Sequence, residues 1–261
     1  MIPLHDDNPT TMRPYVTVGI IVLNVLVYLW EVGRPEAQTE DIILGYGFIP
    51  AVFFGHGHLD ATIATLPAWQ TIFTAMFLHG GIMHVGGNML YLWIFGNNVE
   101  DAMGHVRFVV YYGLCGIAAA LAQAWPDMAS QAPMIGASGA IGGVLGGYFL
   151  LHPNARVLTL VPFGFFLQPM RIPAWVVLGL WFVLQVFNAG AMTQGGAGGV
   201  AYLAHVGGFA AGMALIVFFR RPGVPLWRQV QGGAHSVPRR RDQWSRNPRD
   251  RDDPPRRGPW G

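Results

Sequence analysis

Two stretches of this chain leave it little choice of environment. Val200 to Phe219 and Phe108 to Trp125 contain no acidic or basic side chain apart from one histidine, and each approaches the ~20 residues that carry a helix across ~30 Å of hydrocarbon. A soluble domain holds about 25% charged residues; here 11% are charged and 52% hydrophobic. Four more segments read the same way: Tyr15–Glu31, Ile82–Asn98, Ser138–Leu151 and Ile172–Phe187. The expected fold is an all-α membrane protein, a bundle of six transmembrane helices over residues 15–220. Residues 1–14 form an N-terminal segment and 221–261 a tail.

Charge orients the bundle. All 16 basic residues are arginines. Arg13 precedes the first span, Arg107 lies between the second and third, and Arg156 and Arg171 lie between the fourth and fifth. The run from Arg220 to Arg257 follows the sixth, and only Arg34 falls on the other side. Cytoplasmic loops carry the excess of basic residues, so both termini are expected in the cytoplasm. Asp6 and Asp7, and the lack of a small-x-small site, argue against a cleaved leader. The tail, rich in Arg, Pro, Gly and Asp, reads as disordered and suited to weak contact with anionic headgroups. It is no sign of nucleic-acid binding.

The connections are uneven. The long outer loop from Gly33 to about Thr71 holds the apolar stretch Ile42–Phe54 and is expected to lie folded on or in the membrane surface. His56 and His58 within it lack the carboxylates or cysteines of a metal site, so no metal is expected there. The inner loop Val157–Leu167 is apolar but broken by Pro162 and Gly164, which suits an interfacial segment rather than a span. Cys115 is the single cysteine, so no intrachain disulfide forms.

Against this apolar background two polar residues stand out. Ser138 opens the fourth span within Gly136-Ala-Ser-Gly139. His205 lies in the sixth within Ala204-His-Val-Gly-Gly208. Polar groups at membrane depth are costly and usually functional. A fourth span of 14 residues reaches only ~21 Å, so its outer start must be recessed; His205, five residues into its own span, lies ~8 Å down. The two depths agree. Positions three and four apart share a helix face, and Ser138 continues into Gly142 and Gly146 as His205 does into Gly208 and Gly212. Small-residue stripes let membrane helices approach closely. The pattern predicts a serine nucleophile facing a histidine base; the alternative is a packing helix whose serine bonds to backbone. His84 and Asn88, one turn apart in the second span, supply donors suited to an oxyanion hole. His79 lies at the entrance of that span.

These residues carry a resemblance. His79-Gly-Gly-Ile-Met-His84-Val-Gly-Gly-Asn88 resembles the rhomboid H-x4-H-x3-N motif, and Glu100-Asp-Ala-Met-Gly104 resembles E-x3-G. Gly136-Ala-Ser138-Gly139 resembles G-x-S-G, and Ala204-His205-Val-Gly-Gly208-x3-Gly212 resembles A-H-x-G-G-x3-G. The likeness covers residues from about 15 to 220. It implies an intramembrane serine endopeptidase using a Ser–His dyad near the outer face, with Ser138 as nucleophile and His205 as base. The Ser138 backbone N–H, His84 and Asn88 would hold the oxyanion, and His79, Gly136, Gly139, Gly208 and Gly212 would support the site. Two departures stand out. Trp69-Gln70 is the nearest match to the family's Trp-Arg, and Gly142 stands where some members carry a tyrosine, so the imidazole must be packed from elsewhere.

The implied partners are membrane proteins with one or more spans, met within the lipid bilayer. No cofactor is required, and nothing in the sequence specifies an oligomeric state. The compact plan points to a prokaryotic plasma membrane. The rival within the family is an inactive relative that binds or escorts membrane clients, but such relatives lack the serine or the histidine. A transporter would carry charges inside Ser138–Leu151 or Val200–Phe219. No H-E-x-x-H metalloprotease motif and no pair of in-span aspartates occurs.

Overall fold

The first helix turns the usual rule of burial inside out. Its only buried side chains are Thr17, Asn24 and Glu31, seven residues apart, while Val22, Leu26 and Leu29 are exposed. In water that face would be the core. In a bilayer the apolar side chains meet acyl chains, and the polar stripe turns inward to find partners.

The computed structural model describes residues 1–192 and 200–227. In chain order these form β1 (Ile2–Asp6), α1 (Tyr15–Val32), α2 (Glu36–Tyr46), α3 (Pro50–Phe53), α4 (Ala68–Thr74) and a 3-10 turn, Ala75–Phe77. Next come α5 (Ile82–Met103), α6 (His105–Ala124), α7 (Ser138–Leu151), β2 (Arg156–Phe163), β3 (Phe166–Pro173), α8 (Ala174–Met192) and α9 (Tyr202–Phe219). Each of the six apolar segments falls on a helix, except that Ile172 and Pro173 belong to β3 and α9 starts only at Tyr202. Four of them, α1, α6, α8 and α9, are long and apolar enough to cross a membrane. Helix α7 is shorter and is the most enclosed, with Ile141, Val144, Leu145, Tyr148 and Leu151 all buried.

The all-α expectation needs correction. Strands β1, β2 and β3 form one antiparallel sheet in that order. The loop expected to be an irregular interfacial segment is a hairpin, closed where Phe163 pairs with Phe166. Gly164, at φ +59, takes the first central position of this two-residue turn, where a positive φ suits glycine. The N-terminal segment supplies the third strand. Asp6, buried, accepts a hydrogen bond from the Tyr148 hydroxyl at 2.6 Å, and the Asp7 carboxylate accepts one from the Arg156 N–H at 2.8 Å. The sheet is therefore tied to the C-terminal end of α7, with Ser138 at the other end.

Glu100 explains why the E-x3-G run exists. Fully buried, it accepts hydrogen bonds from the backbone N–H groups of Val16 (3.0 Å) and Thr17 (2.8 Å), and from the Thr17 hydroxyl (2.6 Å). These N–H groups are unpaired donors of the first turn of α1, and a carboxylate complements the positive helix end. Gly104, at φ +86, turns the chain from α5 directly into α6. There His105 Nδ1 lies 2.5 Å from Glu100 Oε1.

The segment Arg221–Trp227, read as the start of a disordered tail, packs back on the helix ends. The Arg221 N–H donates to Ala102 O and the Trp227 N–H to Leu150 O. The rest of the tail, 228–261, lies outside the described residues.

Candidate active site

The site is built where α7 meets α9 with almost nothing between their backbones. A Cβ placed on Gly208 would lie 2.0 Å from Gly139 O, and one on Gly212 would lie 1.9 Å from Gly143 O. On the other strip, Gly146 faces Phe209 O at 2.1 Å and Gly142 faces His205 O at 3.0 Å. The glycine faces do meet, but Gly208 and Gly212 find Gly139 and Gly143 rather than Gly142 and Gly146. Tyr111 of α6 seals the seam, its hydroxyl 2.7 Å from Gly143 O and 3.1 Å from Gly212 O.

That approach sets the reactive pair. Ser138 Oγ lies 2.8 Å from His205 Nε2. On its other side, His205 Nδ1 is 2.8 Å from Gln185 Oε1 of α8. An amide oxygen only accepts, so Nδ1 carries the proton and Nε2 is free to accept the serine hydroxyl. Trp181, one turn before Gln185, packs over the imidazole with ring centres 5.8 Å apart at 32°. Tyr202 meets the same ring edge-on. Trp181 thus takes the packing position that Gly142 leaves open, from a different helix. Sequence reading missed both Trp181 and Gln185; the available signal was a glutamine inside an otherwise apolar span.

A second polar cluster borders the same cavity. Asn88 is buried, and its amide donates to His79 Nε2 at 2.9 Å. His79 can accept there because its Nδ1–H donates to Phe77 O at 3.2 Å, while its backbone N–H donates to Glu31 Oε2 at 3.2 Å. His79 thereby links α1, the 3-10 turn Ala75–Phe77 and Asn88. Gly136 adopts φ +117, and a Cβ there would sit 2.7 Å from His84 Nε2 and 3.8 Å from Asn88 Nδ2. Only glycine lets the chain pass this close. The Gly136 N–H is held by Ala75 O at 2.8 Å, so the 3-10 turn Ala75–Phe77 fixes the turn before Ser138.

Ser138, His205, His84 and Asn88 all line one cavity of ≈ 690 Å³, walled by apolar groups including Met83, Tyr91, Ile141, Leu145 and Trp181. A reacting carbonyl in this cavity would have a nucleophile, a base and amide and imidazole donors around it. Other sequence candidates lie apart. His56 and His58 are exposed on the loop between α3 and α4, and Trp69 on α4 is 61% exposed.

Fold and site together define a class: an integral membrane protein of apolar helices that encloses a hydrogen-bonded serine–histidine pair. A family model, the Rhomboid domain, matches residues 67–222. The chain belongs to the rhomboid family. It is 35% identical over 147 residues to Rhomboid protein 1, mitochondrial, of Saccharomyces cerevisiae, covering 55% of this chain and 40% of that one. It is 29% identical over 204 residues to Rhomboid protease GluP of Bacillus subtilis, covering 78% and 35%. With Rhomboid-like protease 3 of Toxoplasma gondii it shares 23% identity over 222 residues, covering 83% and 73%. The matched regions span less than half the length of the first two relatives.

Proposed function

We propose that this chain is an intramembrane serine endopeptidase that cleaves transmembrane segments of other membrane proteins. The observation that carries the reading is the 2.8 Å contact between Ser138 Oγ and His205 Nε2 inside a cavity that Asn88 and His84 also line. In this reading α1, α5, α6, α7, α8 and α9 all cross the bilayer, both termini are cytoplasmic, and Ser138 lies recessed from the outer face.

Ser138 Oγ attacks the scissile carbonyl while His205 Nε2 takes its proton. The negative charge that moves onto the carbonyl oxygen is met by the Ser138 backbone N–H, Asn88 and His84. The imidazolium then protonates the departing amine, leaving an acyl-serine. Water, deprotonated by the same imidazole, hydrolyses the ester and frees the serine. A substrate helix shields its carbonyls in its own hydrogen bonds, so cleavage requires it to unwind locally, and helix-breaking residues near the cut favour turnover. The glycines that border the cavity, Gly80 and Gly87, suit a small residue before the cut. No step calls for a metal or cofactor.

The deciding experiment is cleavage of a single-span reporter in liposomes, with fluorophosphonate labelling in parallel. Wild type should cleave and become labelled; Ser138→Ala should do neither, because no acyl-enzyme can form. His205→Ala should lose labelling as well. Labelling of His205→Ala at the wild-type rate would dismiss the dyad, and no cleavage by wild type would favour a client-binding protein.

A further inference from the structure

We propose that Gln185 is a positioning residue for the reaction, extending the serine–histidine pair to a hydrogen-bonded Ser–His–Gln triad. This rests on the reading of Ser138 and His205 as nucleophile and base. Gln185 is 9% exposed, and its Oε1 lies 2.8 Å from His205 Nδ1. Trp181, on the same face of α8 one turn earlier, covers the imidazole ring. One helix therefore sets both the plane of the ring and its tautomer. The other ring partners are Ser138 from α7 and Tyr202 from α9, and His84 of α5 faces it across the cavity. Among the described residues no carboxylate is hydrogen-bonded to His205.

The choice of an amide follows from the medium. A carboxylate at this depth would bury a charge, which is expensive in a bilayer; a carboxamide keeps the acceptor and omits the charge. An amide can also turn over. Were Gln185 Nε2 to face the ring, Nδ1 would have to accept, Nε2 would carry the proton, and His205 could not take the proton of Ser138. Once that proton is transferred, both ring nitrogens are donors. Only the Oε1-facing orientation satisfies the imidazolium, so the bond strengthens as charge develops. Its contribution belongs to kcat rather than to substrate binding.

The test measures kcat and KM against pH for the full chain in liposomes, using the single-span reporter. Gln185→Met keeps the side-chain length and loses the acceptor. It should lower kcat by roughly 10- to 100-fold, the range for a hydrogen bond to a charged group, leave KM within about twofold, and move the acid limb of the profile to lower pH. Gln185→Glu should restore most of the lost kcat and move that limb to higher pH by about one unit, because an acidic neighbour favours the imidazolium. A residue that merely packs would leave the limb in place. Wild-type kcat in Gln185→Met, or an unmoved acid limb in both variants, overturns the proposal. Fluorophosphonate labelling rates against pH supply the same readout where turnover is too slow. If Ser138→Ala cleaves like wild type, the underlying protease reading fails, and this proposal with it.

Discussion

Replacing Gly208 by alanine adds one methyl group, and the geometry makes that methyl decisive. Its Cβ would lie 2.0 Å from Gly139 O, against 3.4–4 Å for an ordinary contact. The obstacle is backbone inside a buried helix, so no side chain can swing aside. Helix α9 must retreat from α7 by roughly 1.4 Å, the gap between those distances. Gly208 is one turn from His205, and Gly139 adjoins Ser138. A retreat of that size would open the 2.8 Å Ser138–His205 contact to about 4 Å, beyond any hydrogen bond. General-base assistance is worth about 10²–10⁴ in rate, so Gly208→Ala should lose at least 10²-fold in kcat. Stability is a contest of two terms. Alanine is favoured over glycine within a helix by about 1 kcal/mol, while overpacking costs about 1–3 kcal/mol, so the net effect is a modest loss. Gly113→Ala on α6 is the matched control, because a Cβ there meets nothing within 4 Å; it should keep activity and raise Tm slightly. Turnover of the reporter in liposomes and Tm in detergent measure both. Full activity in Gly208→Ala would refute the argument that backbone contact of α7 and α9 sets the dyad.

Three further predictions follow from other parts of the molecule. Asn88→Ala should slow turnover by about 10²-fold, the low end for a lost oxyanion donor, with KM nearly unchanged and a modest fall in Tm from the unpaired His79 Nε2; wild-type rates would remove Asn88 from the site. Glu100→Ala strands two backbone N–H groups and the Thr17 hydroxyl, so it should destabilise by about 1–3 kcal/mol for each donor that stays buried and unpaired, read as a large fall in Tm; a small fall would mean water takes over those donors. Asp6 is held above its ordinary carboxyl value of 3.8, chiefly by burial. A folded-state value above the unfolded one means stability present at low pH and lost as pH rises through the raised value. Asp6→Asn should therefore raise Tm near pH 7 and flatten its pH dependence between acid and neutral; an unchanged pH profile would place the ionised form at no cost in the sheet.

Much of this protein can be read from composition and spacing, because a bilayer simplifies the code. Lipid offers no hydrogen bonds, so an apolar run favours a helix, and each of the six apolar runs forms one in the main, four of them long enough to span. Apolar residues carry little packing information there, since lipid satisfies them as well as protein does. Conspicuous residues are the few polar ones and the glycines, which is why Ser138, His205, His84, Asn88 and the Gly208–Gly212 stripe stand out in the sequence itself. Glycine stripes likewise mark the faces that meet, but not that Gly208 lies against Gly139 rather than Gly142. Spacing along one helix says which residues share a face, not how far its neighbour is shifted along the axis.

Tertiary structure alone decided what depends on distant partners. Strand β1 lies some 150 residues from β2 in sequence, and in isolation Asp6 and Asp7 read only as a charged leader. Trp181 sits in an ordinary apolar span until α8 lies against α9 and brings it over His205, and Gln185 reaches Nδ1 by the same packing. Glu100 announces a buried charge, but not that it caps α1. Solvation acts on each residue separately and is written locally. Orientation of an imidazole, closure of a sheet edge and capping of a remote helix are pair properties, and a pair forms only when the chain has folded.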